Sequence, residues 1–183
     1  MVVFGFFFSG CSGITKNADF TKFNEKEKKY PEISIVMTSE ELQYFRNRTT
    51  VINAFKESNM FKAIKSNNPY APFSMELYLE GKNKSIETGD GFGKMMVGAG
   101  SLFLIPTDVE FEVKGHVKLR ALGVVFDEFN VDTKFKTVFS MFHMGKDLGF
   151  SGAYRKAVEE ILEKIKERDS FKKNYKKDTK ISI

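Results

Sequence analysis

The side chains able to do chemistry in this 183-residue chain are few and scattered. There is one cysteine, Cys11, and two histidines, His116 and His143, the only groups of ordinary pKa that trade protons near neutrality. His143 follows Phe142 with no Cys, His or paired acid at metal-ligand spacing, and His116 stands between Lys114 and Lys118. No metal and no cofactor are therefore expected. Gly89-Asp90-Gly91-Phe92-Gly93-Lys94 invites comparison with phosphate-binding loops. A Walker loop would need glycine where Thr88 stands and a hydroxyl residue where Met95 stands. A dinucleotide loop would need glycine at Met96. The stretch reads instead as a flexible hairpin turn. Ser9 and Ser101 lie among glycines, but no Gly-x-Ser-x-Gly is present. Asp108, Glu110, Asp127 and Glu128 could supply a carboxylate pair, yet in a chain this rich in acids such neighbours are usually solvated loop positions. The expectation is that the protein is not an enzyme.

Cys11 has a different context. The apolar run Val2 to Phe8 is about as long as the core of an export signal and well short of the ~20 residues that span a bilayer. Two small residues, Ser9 and Gly10, close the run, and cysteine follows. The competing reading is a buried strand with an incidental thiol. Residues Ser12 to Lys29 are polar and charged, however, and give such a strand no neighbour with which to form a core.

This arrangement resembles the lipobox of bacterial lipoproteins, with Phe8 where leucine is usual and no basic residue ahead of it. The resemblance implies cleavage after Gly10, lipid on the sulfur of Cys11 and acylation of the new amino end. Ser12, rather than aspartate, follows the cysteine, which on the same resemblance implies the outer membrane, facing the periplasm. Residues 1–10 are then a signal peptide and 11–30 a lipidated cysteine with a flexible tether. The tether, with its charged Asn24 to Lys29 segment, is too poor in apolar residues to offset its ordering entropy, although Phe20 and Phe23 could touch the domain.

The remaining ~150 residues suffice for one domain with a sizeable core. Twenty phenylalanines and no tryptophan make that core phenylalanine-rich, and a lone cysteine leaves it without a disulfide. The net charge of +5 hints at nucleic acid, but most of it lies between Lys166 and Lys180, where seven basic residues meet three acidic ones. That reads as a solvated basic tail that could touch anionic lipid, and no nucleic-acid partner is expected.

The elements follow from periodicity. Ile33 to Met37 is a β-branched run opened by Pro31, hence a strand. Ser39 with Glu40 and Glu41 looks like a helix start, and Leu42, Phe45, Thr49, Ile52 and Phe55 carry a helical stripe toward Ala63. Arg46 to Thr50 could divide it into two helices, with Thr49 or Thr50 as a second cap. Asn67 to Pro72 is a breaker. Phe73, Met75, Leu77 and Leu79 alternate as a half-buried strand, and Gly81 to Gly93 reads as a polar turn region. Met95 to Val97 and Leu102 to Ile105 suggest a buried or bent strand. The clearest strand has Phe111, Val113, Val117, Leu119 and Ala121 on one face and Glu112, Lys114, His116, Lys118 and Arg120 on the other, as in an antiparallel sheet with one wet face. Val124 to Phe129 continues or pairs back, and Phe135, Thr137, Phe139 and Met141 alternate again. After Gly149, Tyr154, Ala157, Val158, Ile161, Leu162 and Ile165 form the stripe of the best helix.

Stacking these stripes gives an α+β fold, a two-layer sandwich of a mainly antiparallel sheet with two amphipathic helices on one face. Its expected extent is 31–168, with 169–183 a basic tail. The stretches Phe55 to Phe61, Phe73 to Leu79, Leu104-Ile105-Pro106 and the closing helix resemble a loose family of uncharacterised proteobacterial envelope lipoproteins. That resemblance supports lipidation and the fold, and brings no catalytic residues. The expected role is binding or assembly at the cell envelope: a membrane-anchored protein contacting another envelope protein, or alternatively a carrier of lipid or a small molecule.

Overall fold

The computed structural model describes residues 16–24, 29–68, 70–87, 93, 96, 97, 100, 107–139 and 149–172. Cys11, Ser9, Ser101 and His143, with Gly89 to Phe92 and Lys94, lie outside them, as do residues 173–183 of the expected tail. Among the described residues no helix is long and apolar enough to cross a membrane.

Five strands form one sheet in the order β2-β1-β3-β4-β5: β1 (Ile33–Met37), β2 (Ile64–Ser66), β3 (Phe73–Asn83), β4 (Thr107–Ala121) and β5 (Val124–Phe139). The strand with the cleanest alternation, β4, lies between β3 and β5 and pairs antiparallel with both. Its apolar residues Phe111, Val113, Val117 and Leu119 are buried, while Lys114 and His116 face outward. β5 is a single strand that pairs back through Val124 and runs without a break into the expected final strand, so its inward face is Phe129, Val131, Thr133, Phe135 and Thr137. Gly115 is the exception on the inner face of β4. A Cβ there would stand 2.1 Å from the Tyr78 carbonyl oxygen and 2.4 Å from Leu79 Cδ2, so only glycine lets β3 and β4 approach at this point.

The long pairings are antiparallel, as expected. The sequence did not disclose that β1 runs parallel to both its neighbours, nor that β2 exists. Three residues carry too little periodicity to read as a strand. The loop after β2 crosses the outer face, where the Asn68 N–H donates to Ser34 Oγ at 2.9 Å, and Ser34 and Ser74 are buried on that face.

Two expectations fail between β3 and β4. Where a polar turn region was expected from Gly81, β3 runs on to Asn83 and is followed by one helical turn, α2 (Lys84–Glu87). Gly93, Met96, Val97 and Gly100, the described residues of the expected hairpin turn and bent strand, are helical, and Met96 and Val97 are more than half exposed. Short apolar runs broken by glycine have no period that separates helix from strand.

The expected first helix begins as a 3₁₀ turn at Glu40–Gln43, and α1 itself is Phe45–Glu57. Ser39 does not cap it. Its hydroxyl donates to the Leu79 carbonyl at 2.8 Å and accepts from the Leu79 N–H at 3.3 Å, tying the chain to β3. Thr49 and Thr50 lie within α1 rather than at a second start, and Phe45 is 83 % exposed instead of joining the stripe. Asn59, at φ 52°, ends the helix short of Ala63, in a conformation asparagine tolerates. The long helix, α3 (Phe150–Glu167), matches its expected stripe: Tyr154, Ala157, Val158, Ile161, Leu162 and Ile165 are all buried. Asp169 closes it at φ 51°, and the Ser170 N–H reaches back to the Ile165 carbonyl at 3.2 Å. Both helices share one core with the inner face of the sheet, and the fold is α+β.

The ordered chain is longer at both ends than expected. Phe20 and Phe23, placed in the flexible tether, are buried at 5 % and 4 % exposure, and Phe171, placed in the tail, at 3 %. The tether segment is polar on average, but two phenylalanines three apart on a 3₁₀ turn (Thr21–Phe23) meet the core together. Phe171 touches the rings of Tyr30, Phe61, Phe73 and Phe126 and closes the end of the sandwich where β3 begins.

Candidate functional site

Helices cover one face of the sheet, so the outward residues of β3, β4 and β5 form a broad polar surface. Register arranges them in rows across the three strands. Glu76, Lys118 and Glu128 form one row, Glu80, Lys114 and Asp132 another, and Lys82, Glu112 and Lys134 a third. In each, the middle strand carries the opposite sign to its flanks, and opposite charges across strands contribute roughly 0.2–1 kcal/mol per pair. The ion pairs are partly diagonal: Arg120 to Glu76 at 2.7 Å, Lys136 to Glu110 at 3.3 Å and Lys114 to Asp132 at 3.8 Å.

The central row is uncharged: Tyr78, His116 and Asn130. His116 Nδ1 is hydrogen-bonded to Asn130 Oδ1 at 2.7 Å, and Nε2 lies 3.7 Å from Glu128. The Tyr78 hydroxyl donates to Glu80, which raises its pKa, and the ring is 43 % exposed. The lattice corrects the sequence reading of His116, whose surroundings are not a cationic face, since the neighbouring strands supply a carboxylate and an amide. Glu112, also expected outward, is only 6 % exposed. Burial by itself would raise its pKa. The hydrogen bond from Lys84 and the charges of Lys114 and Lys84 outweigh that and hold the carboxyl below its ordinary range.

The four acids singled out in the sequence do not converge. Glu110 and Asp127 are separated along β4 and β5 by about nine residues, or roughly 30 Å of strand. Asp127 is held by Arg168 at 2.5 Å and by the Ser170 hydroxyl at 2.5 Å, while Glu128 belongs to the outer lattice. Asp108 is exposed near the start of β4. Among the described residues no group of three His, Cys, Asp or Glu side chains could hold a metal ion.

Two further features escaped sequence reading. The first guards an edge. β5 ends the sheet, and α3 sends Glu160, Lys164 and Arg168, four residues apart, to its outer backbone. Lys164 Nζ donates to the Asn130 carbonyl at 2.7 Å, Arg168 to the Glu128 carbonyl at 3.4 Å, and Glu160 takes the Thr133 hydroxyl at 2.5 Å. Charged side chains on an edge oppose pairing with another strand, so this part of β5 is closed to strand addition. The four-residue spacing was visible, but the surface it met was not.

The second feature is Glu159, 3 % exposed on α3. It accepts from Lys22 Nζ at 2.5 Å, from Lys156 and from the Asp19 N–H at 3.3 Å, so one buried carboxylate fixes the segment Asp19–Asn24 on the helix layer. Arg155 lies over the Phe20 ring at 5.0 Å.

No protein-family model matches the chain, and no curated protein sequence matches it. Solved structures that share its fold include a minor lipoprotein from Acinetobacter baumannii, with 8 % identity, TM-score 0.41, and coverage of 79 % of this chain and 93 % of that one. A Xanthomonas campestris protein of the DUF330 family gives 7 % identity and TM-score 0.40 over 82 % of this chain and 89 % of its own. A protein described as a neuraminyllactose-binding hemagglutinin homologue from Helicobacter pylori gives 10 % identity and TM-score 0.46 over 91 % and 100 %. At these scores each is a distant likeness of fold, and none carries a function to this chain.

Proposed function

We propose that the chain is a lipid-anchored, non-catalytic component of a bacterial envelope, held through Cys11, whose domain contacts another envelope protein with the outer face of β3–β5. The anchor rests on the apolar run, the Ser9-Gly10 pair and the lone cysteine. The partner face rests on one observation: a half-exposed aromatic, Tyr78, at the uncharged centre of a bare, charge-alternating sheet. An aromatic anchor ringed by polar groups is the usual composition of a binding hot spot, and alternating charge rows supply register and specificity. The carrier alternative needs room between sheet and helices. Tyr154, Phe135, Phe55, Leu119 and Ile161 are fully buried in that layer, which favours a protein partner.

A photo-crosslinking residue at position 78 of the full chain, illuminated in the cells that make it, should give one discrete protein adduct. Lys114→Glu with Lys118→Glu should abolish the adduct while stability changes by less than about 1 kcal/mol, as for exposed pairs. An adduct that survives this double reversal contradicts the proposed face, as does the absence of any adduct at position 78.

A further inference from the structure

At the end of the sandwich where β3 begins, the turn joining β4 and β5 carries Leu122 and Gly123, both with positive φ, at 49° and 84°. A two-residue hairpin loop of this kind favours asparagine or glycine at its first position. Leucine there is strained, and it is also 83 % exposed. Val124 beside it is 70 % exposed and Val125 38 %. Tyr70, 93 % exposed, stands on the adjoining loop, which is fixed to the turn by the hydrogen bond from Leu122 N–H to the Pro72 carbonyl at 2.8 Å. Folding explains none of these choices, because the side chains bury nothing. A strained residue that is also apolar and exposed points to function.

We propose that this tip inserts into an anionic lipid surface. Its shape is convex, a hairpin end rather than a groove or flat face, and suits shallow entry between headgroups more than a protein pocket. Tyr70 brings an amphipathic ring of the kind that settles at the membrane–water interface. The charge is complementary. Phe171 packs against Phe73 and Phe126 at this same end, so the chain leaves the domain beside the tip. Residues 173–183 then hold Lys173, Lys176, Lys177 and Lys180 against Asp178, a net side-chain charge of +3. A polybasic stretch next to apolar insertion is the pairing that binds anionic membranes. The partners already present at this end, Arg120 with Glu76, Arg168 with Asp127 and Lys172 with Asp169, are neutral as pairs and leave the attraction to the tail. The inference goes beyond the proposed anchor, since the tip needs no acyl group to enter a headgroup layer.

The test uses the full chain with Cys11→Ser, so that a fluorophore can be placed on a single new cysteine, Val124→Cys or, as reference, His116→Cys. Vesicles are phosphatidylethanolamine with one quarter phosphatidylglycerol and carry a headgroup quencher. Sedimentation selects the vesicle-bound protein, which the apolar run Val2 to Phe8 can hold there by itself. The label at 124 should be quenched several-fold more than the label at 116, and this excess should fall on neutral phosphatidylcholine. Equal quenching at the two positions overturns the inference, and so does a water-exposed label at 124 in bound protein, which would leave the patch to a protein partner. An excess that persists unchanged on neutral vesicles overturns its electrostatic half. None of these readings depends on whether Cys11 carries lipid, so failure here is distinct from failure of the proposed anchor.

Discussion

Ile161→Asp unfolds the domain. Ile161 is fully buried in the stripe that α3 lays on the sheet, in one core with Val113, Val117 and Leu119. Aspartate there removes about 2 kcal/mol of apolar burial and adds a carboxylate among aliphatic side chains. The charge has no partner in that core, so the group must be buried uncompensated or protonated, at a further cost of several kcal/mol. Together these approach the whole stability of an ordinary domain, roughly 5–15 kcal/mol. The control is His116→Ala on the outer face, which should change stability by no more than about 0.5 kcal/mol. Denaturant unfolding followed by circular dichroism reads both. If Ile161→Asp melts like the parent while His116→Ala collapses, the sheet is inside out and the proposed partner surface is core.

Glu159→Lys has the next largest effect. It replaces the carboxylate that holds Lys22, Lys156 and the Asp19 N–H with a third cation, in a site that is 3 % exposed. Breaking a buried ion pair in this way costs on the order of 3 kcal/mol. The segment Asp19–Asn24 should come off the helix layer, and limited proteolysis should then cut it faster than in the parent. Acid tests the same contact. Burial by itself would raise the Glu159 pKa, but Lys156 and Lys22 outweigh it and hold it below the ordinary 4.5. A carboxylate whose folded pKa is depressed contributes stability that is complete above its unfolded value and is lost as pH falls through the folded one. Glu160 and Asp127 are shifted the same way. The parent should therefore lose stability as pH drops below about 4.5. Glu159→Gln, which does not titrate, should be less stable at neutrality and decline less steeply in acid. Equal acid slopes for parent and variant would remove Glu159 from this account.

Much of the fold was legible because it repeats. The stripe from Tyr154 to Ile165 and the alternation from Phe111 to Ala121 each run long enough to fix a period, and each buries the face it promised. What was not legible depends on contacts between distant residues. Ser39 looked like a helix cap because capping is what a hydroxyl before two acids does locally, yet β3 offered it a better partner in Leu79. Phe20 and Phe23 sit in a stretch whose average polarity hides them, and only the groove they fill reveals them. Glu159 is one acid among many on a charged helix face until Lys22, 137 residues away in sequence, is placed on it. The candidate site divides in the same way. The outward residues of β4 were readable one by one, but the sign reversal from strand to strand required the register. Tyr78 and Asn130 became neighbours of His116 only through it.

The measurement closest to the central claim is the mass of the amino-terminal peptide of protein extracted from the membranes of the cells that make it. The account predicts that this peptide begins at Cys11 and carries two or three acyl chains, with residues 1–10 absent. An unmodified peptide beginning at Met1, or a Cys11 without lipid in soluble protein, would contradict it.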